Sequence, residues 1–194
     1  MKSFYVLLLA LLLQQAANAQ ELYVYTEPAS NVPARSLSIK LGERFVTRDN
    51  IYSRFSSRLM PQVTVGLSKK IMLRGGITIS NMHTPNTRYE SFNLYAKYRF
   101  YSSDQLHKHF RMAAWVLGSR TRVPFHYEEI SQQGDKSGVE LGFTATQLWH
   151  KFALSANLST AQVFDKSRAS KVLYIPARYY GAVNASLSAG LLLL

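Results

Sequence analysis

The sequence predicts an all-β chain, an antiparallel up-and-down transmembrane β-barrel with about eight strands. Three observations predict it. Apolar and polar residues alternate with period two over segments of roughly 9 to 11 residues, the length at which a tilted strand crosses a bilayer. Long and short connections alternate between those segments. The chain also opens on a leader of the kind that directs export.

The leader comes first. Lys2 supplies a positive n-region, Val6 to Leu13 an apolar core, and Ala17-Asn18-Ala19 a small-x-small cleavage site before Gln20. That apolar core is too short to span about 30 Å of hydrocarbon, which argues against a membrane anchor. No Cys follows the cleavage site, so no lipid anchor is expected on the mature N-terminus. The expected organisation is a signal peptide over residues 1–19, a periplasmic N-terminal segment over 20–33 and a barrel domain over 34–194.

Each strand is read from its alternation. Leu37, Ile39 and Leu41 interleave with Ser38, Lys40 and Gly42, and Val63, Val65 and Leu67 with Thr64, Gly66 and Ser68. Ile71, Leu73, Ile77 and Ile79 share one face while Met72, Arg74, Gly76, Thr78 and Ser80 share the other. Phe92, Leu94, Ala96, Tyr98 and Phe100 oppose Ser91, Asn93, Tyr95, Lys97 and Arg99. Phe110, Met112, Ala114 and Val116 oppose a noisier face around Trp115. Val139, Leu141, Phe143 and Ala145 oppose Glu140, Gly142, Thr144 and Thr146, and Phe152, Leu154, Ala156 and Leu158 oppose Ala153, Ser155, Asn157 and Ser159. Val183, Ala185, Leu187 and Ala189 oppose Asn184, Ser186 and Ser188.

The connections separate a barrel from a sandwich. Ser68-Lys69-Lys70 and Trp149-His150-Lys151 read as tight turns, and Tyr101 to Lys108 as an intermediate one. Thr47 to Arg58, Asn81 to Tyr89, Ser119 to Lys136 and Gln162 to Tyr179 read as long polar loops. Barrels of this class sort short turns to the periplasmic rim and long loops to the external rim. The polar face supplies lumen-lining candidates in Arg74, Lys97, Arg99, Arg111, Glu140 and Asn157, inside a barrel narrow enough for side chains to fill. Aromatic residues fall near strand ends, as interfacial girdles require; Tyr89, Phe92, Phe100, Tyr101, Phe110, Trp149 and Phe152 are among them.

Leader, absent Cys, dyad-repeat strands and alternating loop lengths together resemble the small outer-membrane β-barrel proteins of Gram-negative bacteria, over essentially the whole mature chain. Tyr25-Thr26-Glu27-Pro28-Ala29-Ser30-Asn31-Val32-Pro33-Ala34 resembles the start of an uncharacterised group of such barrels. The resemblance implies an outer-membrane location and insertion by the barrel-assembly machinery. Many such barrels end in an aromatic residue, whereas this sequence ends Gly190-Leu191-Leu192-Leu193-Leu194, and the Leu run breaks the alternation. Either the last strand is atypical or the chain belongs to a barrel of ten or more strands, and the sequence leaves both readings open.

Composition narrows the chemistry. The absence of Cys excludes disulfides, thiolate metal sites and thiol nucleophiles. Net charge is +12, and an exported basic protein without a nucleic-acid-binding motif is expected to meet anionic lipid, above all lipopolysaccharide, and no nucleic acid. Arg54, Arg58, Arg120, Arg122, Arg168, Lys171 and Arg178 are the loop cations expected to do so, beside Arg48 and Lys166. Their alternative is a plain solvated loop surface.

His83, His107, His109, His126 and His150 are scattered, and a pair such as His107 and His109 does not make a metal site, so no metal or other cofactor is expected. His126, Glu128, Glu129 and Ser131 supply hydrolase residue types in one loop, but no Gly-x-Ser-x-Gly elbow accompanies them, and no enzyme activity is expected. The expectation is a structural, surface-interaction or passive transport role in the outer membrane, porin-like if further strands widen the barrel. The alternatives are a soluble periplasmic or secreted lipocalin-like barrel binding an apolar ligand, and a lipid-modifying barrel enzyme. The sequence leaves the oligomeric state open.

Overall fold

The protein is described by a computed structural model covering residues 28–46, 55–82, 86–106, 108–122, 136–150, 152–164 and 180–191. Eight strands follow one another: β1 (Leu37–Val46), β2 (Ser56–Gly66), β3 (Ile71–Ser80), β4 (Arg88–Asp104), β5 (Lys108–Thr121), β6 (Gly138–Trp149), β7 (Phe152–Val163) and β8 (Tyr180–Leu191). Each pairs antiparallel with the next, so the sheet order is the chain order. Among the described residues the sheet is not closed: β1 and β8 are its edge strands, with no contact between them.

The expected segments carry these strands, and the connections sort as expected. Residues 67–70, 105–107 and 150–151 join strands at one end, and 47–55, 81–87, 122–137 and 164–179 at the other. Several boundaries move. The connection expected over Tyr101 to Lys108 shrinks to 105–107, because β4 and β5 remain paired out to Asp104 and His109. The two-residue turn at 150–151 puts His150 in the left-handed region (φ 47°), where tight hairpins place residues to match strand twist. At the opposite end, the loop expected from Thr47 to Arg58 ends earlier, since β2 begins at Ser56 and pairs with Val46.

Two irregularities in β4 decide which side chains face which way. Glu90 is an extra residue where the β3–β4 register shifts, so Glu90 and Ser91 both turn inward and are buried. Phe100 is an extra residue opposite β5, so Phe100 and Tyr101 both stay on the outer face. Strict alternation accommodates neither.

The distribution of polarity reverses that of a water-soluble sheet. The inner face buries Arg58, Lys97, Glu90, Glu140, Asn93 and a row of Ser and Thr, with a small apolar cluster of Met72, Tyr95, Leu117, Ala161 and Val163. Large apolar side chains stand exposed on the outer face, among them Ile39 (70%), Leu94 (57%), Phe143 (61%) and Leu187 (71%). Buried charge is rare in proteins unless paired or hydrogen-bonded, and so broad an exposed apolar surface marks a contact with something apolar.

Residues 28–33 show that the sheet curls around its polar side. The Ala29 N–H donates to Thr146 Oγ1 on β6 (2.9 Å), while Val32 and Pro33 lie against Gly66 on β2. Four strand spacings in a flat sheet amount to about 19 Å. Five residues reach at most about 18 Å when fully extended, and this segment also bends so that Pro28 and Ser30 both meet Lys97. It is a chord across a curved wall.

Candidate functional site

The inner face and the segment lying on it form the site. The segment enters through a β-turn at Pro33–Ser36, in which the Ser36 N–H donates to the Pro33 carbonyl (3.3 Å) and Arg35 takes a positive φ of 59°. This is the geometry of a type II turn, which reverses the chain from the interior into β1. The turn is locked to the end of β2 by Arg35 N–H to Gly66 O (2.6 Å) and Gly66 N–H to Ser36 O (2.9 Å). Gly66 admits the segment because it has no side chain: a Cβ there would overlap the Pro33 carbonyl oxygen and press on Val32 Cγ2 at 3.1 Å.

Two cations hold the middle of the segment. Lys97 Nζ, buried on β4, donates to the carbonyls of Pro28 (2.9 Å) and Ser30 (2.8 Å). Arg111 Nη1 on β5 donates to Ser30 Oγ (2.9 Å). A buried ammonium costs much less when strong acceptors replace its lost water, and the two carbonyls are such acceptors. Thr146 completes the cradle, lying 2.5 Å from Ser155 Oγ while it accepts from Ala29.

Beyond the segment the inner face is cross-braced strand to strand. Arg74 donates to Thr64 (3.1 Å) and lies over the Tyr95 ring, 5.4 Å from its centroid. Tyr95 packs on Trp115 (5.7 Å), whose indole N–H donates to Thr144 (3.1 Å) and whose ring covers Gly142. A Cβ on Gly142 would fall 2.6 Å from Trp115 Cε2, so the bare backbone of β6 is what makes room for the indole. Glu140 accepts from Ser159 (2.5 Å) and Asn184 (3.1 Å), tying β6 to β7 and β8. Toward the long-connection end, Arg58 and Glu90 form an ion pair at 3.7 Å across the width of β3.

Asp104 organises the short-connection rim, on the turn side of the aromatic row formed by Tyr98, Phe100, Tyr101 and Phe110. It accepts from Ser102 Oγ (3.1 Å) and Arg111 Nη2 (3.1 Å) and lies 2.9 Å from His109 Nδ1. What burial it has opposes ionisation, but the hydrogen bonds from His109, Arg111 and Ser102 outweigh that and hold its carboxyl below the ordinary value. The carboxylate stands between hydroxyl and imidazole. Nucleophile activation needs the imidazole in that middle position, so this trio is a structural clamp.

All six lumen-lining candidates lie on this one face. Lys97, Arg111 and Arg74 are engaged as described; Arg99 donates to the Lys69 carbonyl (2.6 Å), Glu140 braces three strands, and Asn157 bonds to Thr144. The lipid-facing loop set divides. Arg58 is corrected: it lies within β2, 1% exposed, because its register position points it inward to Glu90, and it is not a loop cation. Arg120 is exposed at the end of β5, and Arg122 lies over the Tyr89 ring at 5.2 Å. Arg54, Arg168, Lys171 and Arg178 fall outside the described residues, as do Arg48 and Lys166 and the loop residues His126, Glu128, Glu129 and Ser131.

Sequence reasoning missed Ala29, Ser30, Gly66 and Thr146, which build the cradle. The available signal was a non-alternating run of small residues bracketed by Pro28 and Pro33, extended chain that belongs to no strand. No family model, curated relative or solved structure matches this chain.

Proposed function

We propose that the chain forms the wall of an outer-membrane β-barrel whose interior is narrowed by residues 28–33, with a structural or passive transport role. One observation carries the reading: the exposed apolar rows of the strands lie on the outer face, while the charged side chains that are buried, Arg58, Glu90, Lys97 and Glu140, all lie on the inner one. Lipid solvates the first arrangement and water the second. A lipocalin-like carrier needs the opposite facing, with apolar rows turned in toward a ligand.

Further support comes from the ends of the strands. Phe45 stacks on Phe55 (5.8 Å) near the long connections, and Trp149 stacks on Phe152 (5.9 Å) near the short ones, where two interfacial belts belong. On this reading the leader over residues 1–19 delivers the chain to the periplasm, the assembly machinery inserts it, and the long connections face lipopolysaccharide. Arg120 and Arg122 then lie at the level of its phosphates. No catalytic step and no cofactor are assigned to it.

The test is fractionation of a Gram-negative host expressing the full precursor, followed by gels run with and without boiling. An outer-membrane band that migrates faster unheated supports a detergent-resistant barrel. A soluble periplasmic band without a heat shift overturns the reading.

A further inference from the structure

We infer that Lys97 and Arg111 form an anion site on the inner face, that residues 28–30 occupy it as a built-in competitor, and that small anions are the solutes admitted when the segment yields. The inference rests on the membrane reading above and names the solute class for its passive transport role.

Two cations from neighbouring strands converge on one residue. Lys97 Nζ on β4 donates to the Ser30 carbonyl (2.8 Å), and Arg111 Nη1 on β5 donates to the Ser30 hydroxyl (2.9 Å). Lys97 also holds the Pro28 carbonyl (2.9 Å). All three acceptors are neutral oxygens, so two full charges are more than pinning a peptide requires. A chloride or carboxylate at the same point meets the same N–H groups and brings the opposite charge, which strengthens each hydrogen bond. Arg111 is aimed in advance, because its Nη2 stays on Asp104 (3.1 Å) while its Nη1 reaches inward.

The surroundings have the matching sign. With Arg58 and Glu90 set against each other, the inner face of the described strands carries Lys40, Arg44, Arg74, Lys97, Arg99 and Arg111 against Glu140 and, at the rim, Asp104. Register places Lys40 in line with Gln62, Gly76 and Asn93, and Arg44 in line with Arg58. Lys97, Arg99 and Arg111 cluster on β4 and β5 toward the short connections, where the segment crosses. Clustered Arg and Lys side chains select anions in pores, and a low-dielectric wall concentrates their field.

The segment is seated against a cost, which lets an anion compete with it. Asn31, next to Ser30, has both atoms of its side-chain amide buried with no hydrogen-bond partner among the described residues. An amide buried without partners opposes the seating. A peptide chain is about 5 Å across in its hydrogen-bonding direction, so its withdrawal opens a passage on the scale of a small anion.

The test is ion conduction in planar bilayers by protein purified from the outer-membrane fraction of a host expressing the full precursor. A potassium chloride gradient is applied, and the reversal potential reports which ion passes. The parent chain, plugged, is expected to conduct little. Gly66→Ala unseats residues 28–33 and leaves both cations in place, so its current should rise and prefer chloride. Lys97→Met also unseats the segment but removes a charge of the site, so its current should rise while the reversal potential shifts toward that of potassium. Arg111→Gln alone should shift it the same way.

Cations that only pin the segment predict equal reversal potentials for Gly66→Ala, Lys97→Met and Arg111→Gln, and that result overturns the inference. A potassium preference in Gly66→Ala overturns it too, as does a heat-shifted Gly66→Ala barrel that conducts nothing. Failure of the membrane reading looks different, with no heat-shifted band in the membrane fraction for the parent chain.

Discussion

The Pro33 carbonyl oxygen occupies the space that a side chain on Gly66 would need, so one missing methyl group admits the N-terminal segment into the interior. The same contact brings the Ser36 and Arg35 backbones into hydrogen bonds with Gly66, so the entry turn and the end of β2 are one unit. A Gly66→Ala chain is expected to retain its sheet and lose the seating of residues 28–33. The cost is about 1–3 kcal/mol, as for other overpacked sites. Hydrogen exchange at Ala29 should quicken, while Gly118→Ala, where a Cβ meets open space, should leave it unchanged.

Lys97→Met removes the donor to two carbonyls at once. Leaving acceptors buried without a donor costs on the order of 1–3 kcal/mol. The urea midpoint for loss of the fast-migrating band should fall, and residues 28–33 should become accessible to protease. If protease access and midpoint both match the parent, the segment does not depend on Lys97.

Trp115 and Gly142 should behave as a coupled pair. Gly142→Ala drives a Cβ into the indole and is expected to destabilise by about 1–3 kcal/mol. Combined with Trp115→Leu, which vacates the indole's share of that space, the added cost of the alanine should fall without vanishing, because Ser159 Cβ stands 2.9 Å from the same position. A double-mutant cycle reads this as a coupling energy, and simple additivity would show that the indole moves aside freely.

Leu94 tests the facing of the whole sheet. It lies mid-strand on β4 and is 57% exposed, so in water Leu94→Arg is close to neutral. At a bilayer midplane the same change costs about 2–4 kcal/mol. Refolding into vesicles should therefore show a large loss for Leu94→Arg.

The Asp104 clamp gives the rim a pH dependence. Its folded pKa lies below the unfolded one, so its contribution is present above the unfolded value of about 3.9. That contribution is lost as pH falls through the folded value. Asp104→Asn should lower stability near neutral pH, and its difference from the parent should vanish in acid. A gap that persists in acid would mean that the carboxylate charge is not what holds His109 and Arg111.

Period-two alternation determined the eight strands and the facing of most of their side chains, because a strand's side chains can point only two ways, and the alternation of short and long connections pointed to their up-and-down order. It also marked Lys97, Arg111, Arg74 and Glu140 as inward. Alternation misplaces Glu90 and Tyr101, because a bulge shifts the period by one residue and its position depends on the partner strand. Arg58 read as a loop cation since its polar neighbours mask the strand's start, and only its pairing with the β1 register and with Glu90 turns it inward. The seating of residues 28–33 was decided by the tertiary structure. Lys97, Thr146 and Gly66 lie on three strands and meet that segment only when the sheet curls, a distance effect that no local pattern encodes.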